Sequence, residues 1–221
     1  MNNIQTVTLN NITIDYKSFT NNYVICFLDK IDNNFELYIE QLYHTIYPSF
    51  YQSGAVKYDN CCGNNAIALC NAFNNSNNNS VKSGRIILYG WSNYSKLDID
   101  KLTKIFGSTS LRVGATYHAL GYLEVQFAEK MYYIAIETTI ETPYKLQFFV
   151  GNSKKDLDVV LSARYLCDKY AITYDCDTFF TDVIAIANNN KGGKKKKNTR
   201  KNKIRYYKSS NKRKNKTKRR N

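Results

Sequence analysis

Residues 111–139 read LRVGATYHALGYLEVQF, then AEK, then MYYIAIETT: two runs rich in aromatic and β-branched residues around a three-residue break at Ala128–Glu129–Lys130. Such runs with so short a connection predict two strands joined as an antiparallel hairpin. Lys145–Val150 follows as a further strand, and Arg85–Trp91, Thr6–Ile14 and Tyr23–Leu28 read as strands upstream. Asparagine-rich turn chemistry separates the first two of these in the chain. Consecutive short strands with tight connections point to an antiparallel sheet.

Helical spacing takes over between the strands. Phe35, Leu37, Tyr38, Leu42 and Ile46 recur at helical intervals from Asn33, and Pro48 is expected to end that segment. Cys62–Phe73 shows a second helical pattern, through Ala66, Ile67, Leu69, Cys70 and Phe73, after a loop at Gly54–Asn60. The asparagine tract 74–79 is read as a solvated loop. Asp98–Phe106 forms a short helix, with Asp98 as its cap and Gly107 at its end. Ser153 and Asp156 give a capping-box-like start to a last helix through Lys169. A β-like run at Asp182–Ala187 closes this part. The class is α+β.

Charge divides the chain. Of 221 residues, 32 are Lys or Arg and 18 are Asp or Glu, a formal net charge of +14. Residues 188–221 hold 17 of the bases and no acid, which leaves residues 1–187 at about −3. Residues 1–187 are long enough for one domain with its own core. Residues 188–221 are poor in apolar side chains and predict a disordered Lys/Arg-rich tail. In the tail, the bases of 191–220 are interleaved with Tyr206–Tyr207, which could stack on bases, and with Asn and Ser, which could bond phosphates. Nucleic acid is the favoured partner of the tail; a nuclear import signal, a tether to anionic membrane and a solubilising tail are the competing readings.

Several function classes lack their signatures. No stretch approaches the ~18 apolar residues of a membrane span, and the N-terminus lacks the basic and apolar regions of a secretory signal. An intracellular, non-secreted protein is therefore expected, with six reduced cysteines (26, 61, 62, 70, 167, 176). No Cys-x-x-Cys pair exists and only His44 and His118 supply imidazoles, so no metal or other cofactor is anticipated. Gly90–Tyr94 fails G-x-S-x-G at its last position, and no phosphate-binding G-x-x-x-x-G-K-[ST] occurs. Richness in Asn, Lys, Ile and Tyr is compatible with an AT-rich genome, such as that of a large DNA virus, where a nuclear or virion location would follow.

Three features line up in chain order. Cys62 lies at the start of a helix, where unpaired N–H groups and the macrodipole favour a thiolate and a developing oxyanion. His118 opens the first hairpin strand and could serve as the base a cysteine nucleophile needs. Glu137 is a carboxylate in an otherwise apolar strand, unexpected unless paired, and an imidazole would suit it. If the hairpin turn is 127–128, His118 stands directly opposite Glu137; if it is 128–129, the two are same-face diagonal neighbours about 7–8 Å apart along the backbone. Either register permits side-chain contact, whereas a shift of one residue or a bulge would put the two on opposite faces.

With these residues the chain resembles the transglutaminase-like (papain-fold) cysteine peptidase superfamily over about 60–150. Cys62-Gly-Asn-Asn-Ala66 matches its Cys-x-x-x-Ala helix start, His118-Ala119 with Glu124-Val125 its histidine strand, and Tyr133-Ile-Ala-Ile-Glu137-Thr-Thr139 its acidic strand. The resemblance implies a nucleophile helix packed on an antiparallel sheet and a Cys62–His118–Glu137 triad. A thiol hydrolase, peptidase or amidase, acting on a protein or peptide through an acyl-enzyme would follow; the alternative is an inactive member that binds or packages nucleic acid through its tail. The chain departs from the pattern at Leu120, where an aromatic is common, and at Glu137, where Asp is commoner. Two adjacent cysteines leave Cys61 open as nucleophile, although the spacing to Ala66 favours Cys62. Gln52 and Asn60 are upstream candidates for a second oxyanion donor. Cys26, Cys70, Cys167, Cys176 and Trp91 are read as core, His44 as surface or structural, and Glu124 as solvent-facing.

Overall fold

The computed structural model describes residues 3–19, 22–52, 62–76, 79–91, 95–106, 117–137, 139 and 144–176. The loop at Gly54–Asn60, Cys61, Gly107, the stretch 111–116, Asp182–Ala187 and the basic tail lie outside them. The chain divides into two units, Met1–Asn190 and Lys191–Asn221, and all the described residues belong to the first.

Local chemistry sets the first hairpin. Strands β1 (Gln5–Leu9) and β2 (Ile12–Phe19) pair from Leu9 opposite Ile12. The two turn residues, Asn10 and Asn11, have φ of 47° and 63°. Both central positions of this turn need the left-handed region, which asparagine tolerates better than most residues. β3 (Tyr23–Phe27) pairs antiparallel with β2.

Helix α1 (Asn33–Gln52) starts at Asp32, whose carboxylate accepts the Asn34 N–H at 2.8 Å. It buries Phe35, Ile39, Leu42, Tyr43 and Ile46. Leu37, expected in the apolar stripe, is 57% exposed. Pro48 does not end the helix, which continues to Gln52. Pro48 and His44, whose carbonyl loses its donor to the ring, both lie on the solvent side, where water can replace the missing bond.

Helix α2 (Cys62–Asn74) is followed by β4 (Val81–Trp91) and α3 (Lys96–Phe106). The cap of α3 is Ser95 rather than Asp98. Ser95 Oγ accepts the Asp98 N–H at 3.1 Å and donates to its carboxylate at 2.6 Å, so Asp98 is the third residue of a capping box. β5 (His118–Phe127) and β6 (Lys130–Glu137) form the expected hairpin, with Phe127 opposite Lys130 and Ala128–Glu129 as the turn. β7 (Leu146–Gly151) leads into α4 (Lys154–Tyr165), where Ser153 and Asp156 make the anticipated cap. That helix stops at Tyr165, not Lys169. Leu166 turns left-handed (φ 45°), and Cys167–Thr173 becomes strand β8.

Among the described residues the strands form one eight-stranded sheet in the order β1-β2-β3-β7-β6-β5-β4-β8. Every neighbouring pair is antiparallel except β3–β7, which run parallel. Alternation along β5 and β6 sends side chains to two cores. Leu123, Val125, Ile134 and Ile136 pack with α1 and Leu69 of α2, whereas Leu120, Tyr122 and Ala135 pack with α3 and α4. The α+β class holds, with helices on both faces of the sheet.

Two details fix how α2 sits. A Cβ on Gly121 would lie 1.9 Å from Leu69 Cδ2, so a larger residue there would displace the Leu69 side chain from its place against β5. The second overturns an expectation: Cys70 of α2 and Cys176 are joined in a disulfide, not reduced core thiols. They are 106 residues apart in sequence, with Cα atoms 5.7 Å apart, so only the folded sheet brings them together. The bond ties α2 to the chain that leaves β8.

Candidate active site

Cys62 is the first residue of α2 and is 6% exposed, packed against Ala66 one turn on and Ala119 of β5. Small side chains on both elements let the helix start come close to the strand. His118 is the first residue of β5 and completely buried; Glu137 is the last of β6 and 1% exposed. The observed turn at 128–129 selects the diagonal of the two registers, and the side chains meet along it. His118 Nε2 lies 2.5 Å from Glu137 Oε2.

His118 and Glu137 point to the α4 face of the sheet, whereas Ala119 and Cys62 are on the α2 face. Cys62 packs on Ala119, the residue after His118, which brings the thiol close enough for the imidazole to act on it. With Nε2 held by a carboxylate, which only accepts, Nε2 carries the proton and Nδ1 is the nitrogen left for the thiol. Burial pushes the Cys62 thiol up. The hydrogen bond to His118, the imidazolium charge and a backbone hydrogen bond from Ala119 act the other way against a smaller opposing effect of Glu137, and together hold it below the ordinary thiol value. Cys26 shows burial without such help. Its thiol is pushed up to about 12, although Arg164 pulls against the shift.

Glu137 has further partners. The Thr139 N–H donates to Oε1 at 3.0 Å, and the Tyr165 hydroxyl donates to Oε2 at 2.8 Å. Gln147 stands opposite Glu137 on β7, and its Oε1 accepts from Arg164 Nε at 3.3 Å and Nη2 at 3.1 Å. Sequence reading did not find Tyr165, Arg164 or Gln147. Their only signal would have been the correct end of α4, and the left-handed turn there falls on Leu166, not on the glycine or asparagine that marks such a stop.

The remaining candidates separate cleanly. His44 is exposed on α1. Gln52 ends α1, and Asn60 and Cys61 lie outside the described residues. Cys70 is spent in the disulfide, and Cys26 and Cys167 are buried and outside any disulfide. Glu124 does not simply face solvent. Its Oε1 accepts from Tyr122 at 3.0 Å, from Lys154 at 2.9 Å and from Tyr174. Among the described residues no three His, Cys, Asp or Glu side chains gather as a metal site, and no helix is long and apolar enough to cross a membrane. A separate cleft of about 460 Å³ between β1 and α3, lined by Tyr16, Lys101, Lys104 and Tyr144 among others, shares no residue with this constellation.

A thiol held low, an imidazole on it and a buried carboxylate on the imidazole are the parts of nucleophilic acyl transfer. Neither a family model, a curated protein nor a solved structure matches the chain.

Proposed function

We propose that the protein is a thiol hydrolase, a peptidase or amidase of the transglutaminase-like kind, working through Cys62, His118 and Glu137. The observation that carries this reading is the convergence of the three side chains, from α2, β5 and β6, in the order thiol, imidazole, carboxylate. Three residues drawn from separate elements and buried together are costly unless each satisfies the next.

The steps follow from the geometry. Cys62 Sγ, as thiolate, attacks the carbonyl carbon of the scissile amide, and the carbonyl electrons pass to oxygen. Collapse of that intermediate breaks the C–N bond, and His118 delivers its Nδ1 proton to the leaving amine. A thioester remains on Cys62. Water then attacks it as His118 accepts the water's proton, and collapse releases the carboxylic acid and restores the thiolate–imidazolium pair. Glu137 does not take part in bond making; it holds the imidazole in the tautomer that presents Nδ1. N–H groups at the start of α2 are the natural oxyanion donors.

The basic tail is proposed to tether the enzyme to nucleic acid or another polyanion, supported by 17 cations without an acid in residues 188–221. Such binding is indifferent to sequence and falls steeply with salt. Removal of 188–221 should abolish retention on nucleic acid at low salt; unchanged retention would remove that role.

The catalytic reading is tested with a thiol-directed acylating probe on the full chain. Cys62→Ala should lose labelling and keep its fold. Labelling that survives in Cys62→Ala and disappears in Cys61→Ala would move the nucleophile to Cys61.

A further inference from the structure

We infer that Tyr165 is a positioning residue of this site: its hydroxyl, bonded to the same Glu137 oxygen as His118, keeps the shared proton on the imidazole and thereby favours the Cys62 thiolate. The inference rests on the thiol-hydrolase reading and adds to it a group from α4.

Glu137 is 1% exposed, so water does not offset its charge. Three donors do. The Thr139 N–H serves Oε1 alone, at 3.0 Å. Oε2 is shared between His118 Nε2 at 2.5 Å and the Tyr165 hydroxyl at 2.8 Å. Without the phenol, the oxygen facing the imidazole would lean more heavily on the imidazole's own proton. In a buried pair that proton can pass from Nε2 to Oε2 and leave two neutral groups, which avoids the desolvation of both charges. A neutral imidazole no longer offsets a thiolate. A hydrogen bond to the charged carboxylate opposes that collapse.

Tyr165 is placed for this by its neighbour in sequence. Arg164 holds Gln147, directly across β7 from Glu137, so the last turn of α4 is anchored to both strands at one level. The Tyr165 ring rests 5.5 Å from His118, 5.5 Å from Phe149 and 4.7 Å from the Arg164 guanidinium. These contacts are an ordinary packing role for the ring. They do not require the oxygen. Among the described residues, Cys62 acts on the site from α2, Arg164 lies beside Tyr165 on α4 and Cys26 of β3 is coupled to Arg164, with uncharged Gln147 on β7. Burial pushes the Cys26 thiol up to about 12, so it does not titrate across the working range.

The test is the pH profile of Cys62 alkylation by iodoacetamide in the full chain, mapped by peptide mass. Tyr165→Phe removes one oxygen and keeps the ring. The acid limb should move up by roughly one pH unit, with alkylation on that limb about tenfold slower at a given pH, the scale of one hydrogen bond to a charged group. In a Glu137→Gln background the same change should add nothing, because the phenol acts only through that carboxylate. A Tyr165→Phe profile that overlays a low-lying wild-type limb overturns the inference and leaves the hydrolase reading intact, as does an equal shift in both backgrounds. A wild-type limb at the ordinary thiol value overturns both. Should Tyr165→Phe fail to fold, 3-fluorotyrosine at position 165 keeps the shape and strengthens the donor. The limb should then move down, and an unmoved limb counts against the inference.

Discussion

Helix α4 touches a carboxylate at each end, and the two are treated differently. At its first residue, Lys154 meets Glu124 of β5 at 2.9 Å, with two tyrosine hydroxyls on the same oxygen. At its last residue, Tyr165 meets Glu137 of β6, also with a second donor on the same oxygen, but that donor is His118. The Glu124 side chain keeps 14% of its exposure and Lys154 half. Burial pushes Glu124 up, yet the bonds from Tyr174, Lys154 and Tyr122 hold it below the ordinary carboxylate value. Lys154 is raised in turn, chiefly by its hydrogen bond to Glu124. A carboxylate facing a permanent cation beside water is a fixed charge. A carboxylate sealed from water and facing a group that can give up its proton is a control on where that proton sits. The same residue type on one hairpin thus serves a structural tie at one end and the proposed chemistry at the other.

Exchanging either carboxylate for its amide should break the symmetry in opposite directions. Glu137→Gln should slow alkylation of Cys62 at pH 7 by about 100-fold, the range of a lost acid–base partner. Glu124→Gln should leave that rate within about twofold and instead lower the urea midpoint, at a cost of about 1 kcal/mol. A Glu124→Gln variant that lost thiol reactivity would erase the distinction between the two ends.

The Glu124 tie should also carry a pH signature. Its folded value lies below the unfolded 4.5, so its contribution is present above about pH 4.5 and is lost as pH falls through the folded value. The stability gap between wild type and Glu124→Gln should be flat from pH 5 to 7 and shrink toward pH 3 in urea titrations. Lys154→Met should have the smallest effect, under about 1 kcal/mol, because a half-exposed ammonium is screened and the two tyrosines remain. A gap that widened on acidification would mean that Glu124 is not held as an anion.

Much of this arrangement is legible in the residues alone. Alternation along His118–Glu137, the short break at Ala128–Lys130 and the Ser153 cap are local signals, and local signals survive folding. They are enough to place His118 and Glu137 on adjacent strands and to narrow their pairing to a few registers. What stays hidden depends on distant contacts or on exceptions to a local rule. The parallel pairing of β3 with β7 and the Cys70–Cys176 disulfide join residues more than a hundred positions apart. Pro48 inside α1 is tolerated because its face is solvated. Leu166 adopts a left-handed turn that its side chain disfavours, which conceals both the end of α4 and the start of β8. Tyr165 and Arg164 sit at that concealed boundary, which is why the contribution of α4 to the site escapes a reading of the sequence.

The central claim is that the partners of Cys62 favour its thiolate although the thiol is buried. The direct measurement is the iodoacetamide rate at each free cysteine of the native wild-type chain as a function of pH. A Cys62 midpoint clearly below the ordinary thiol value of 9.0 is expected, with Cys26 unreactive until the chain is unfolded. A Cys62 midpoint at or above 9.0 would contradict the claim.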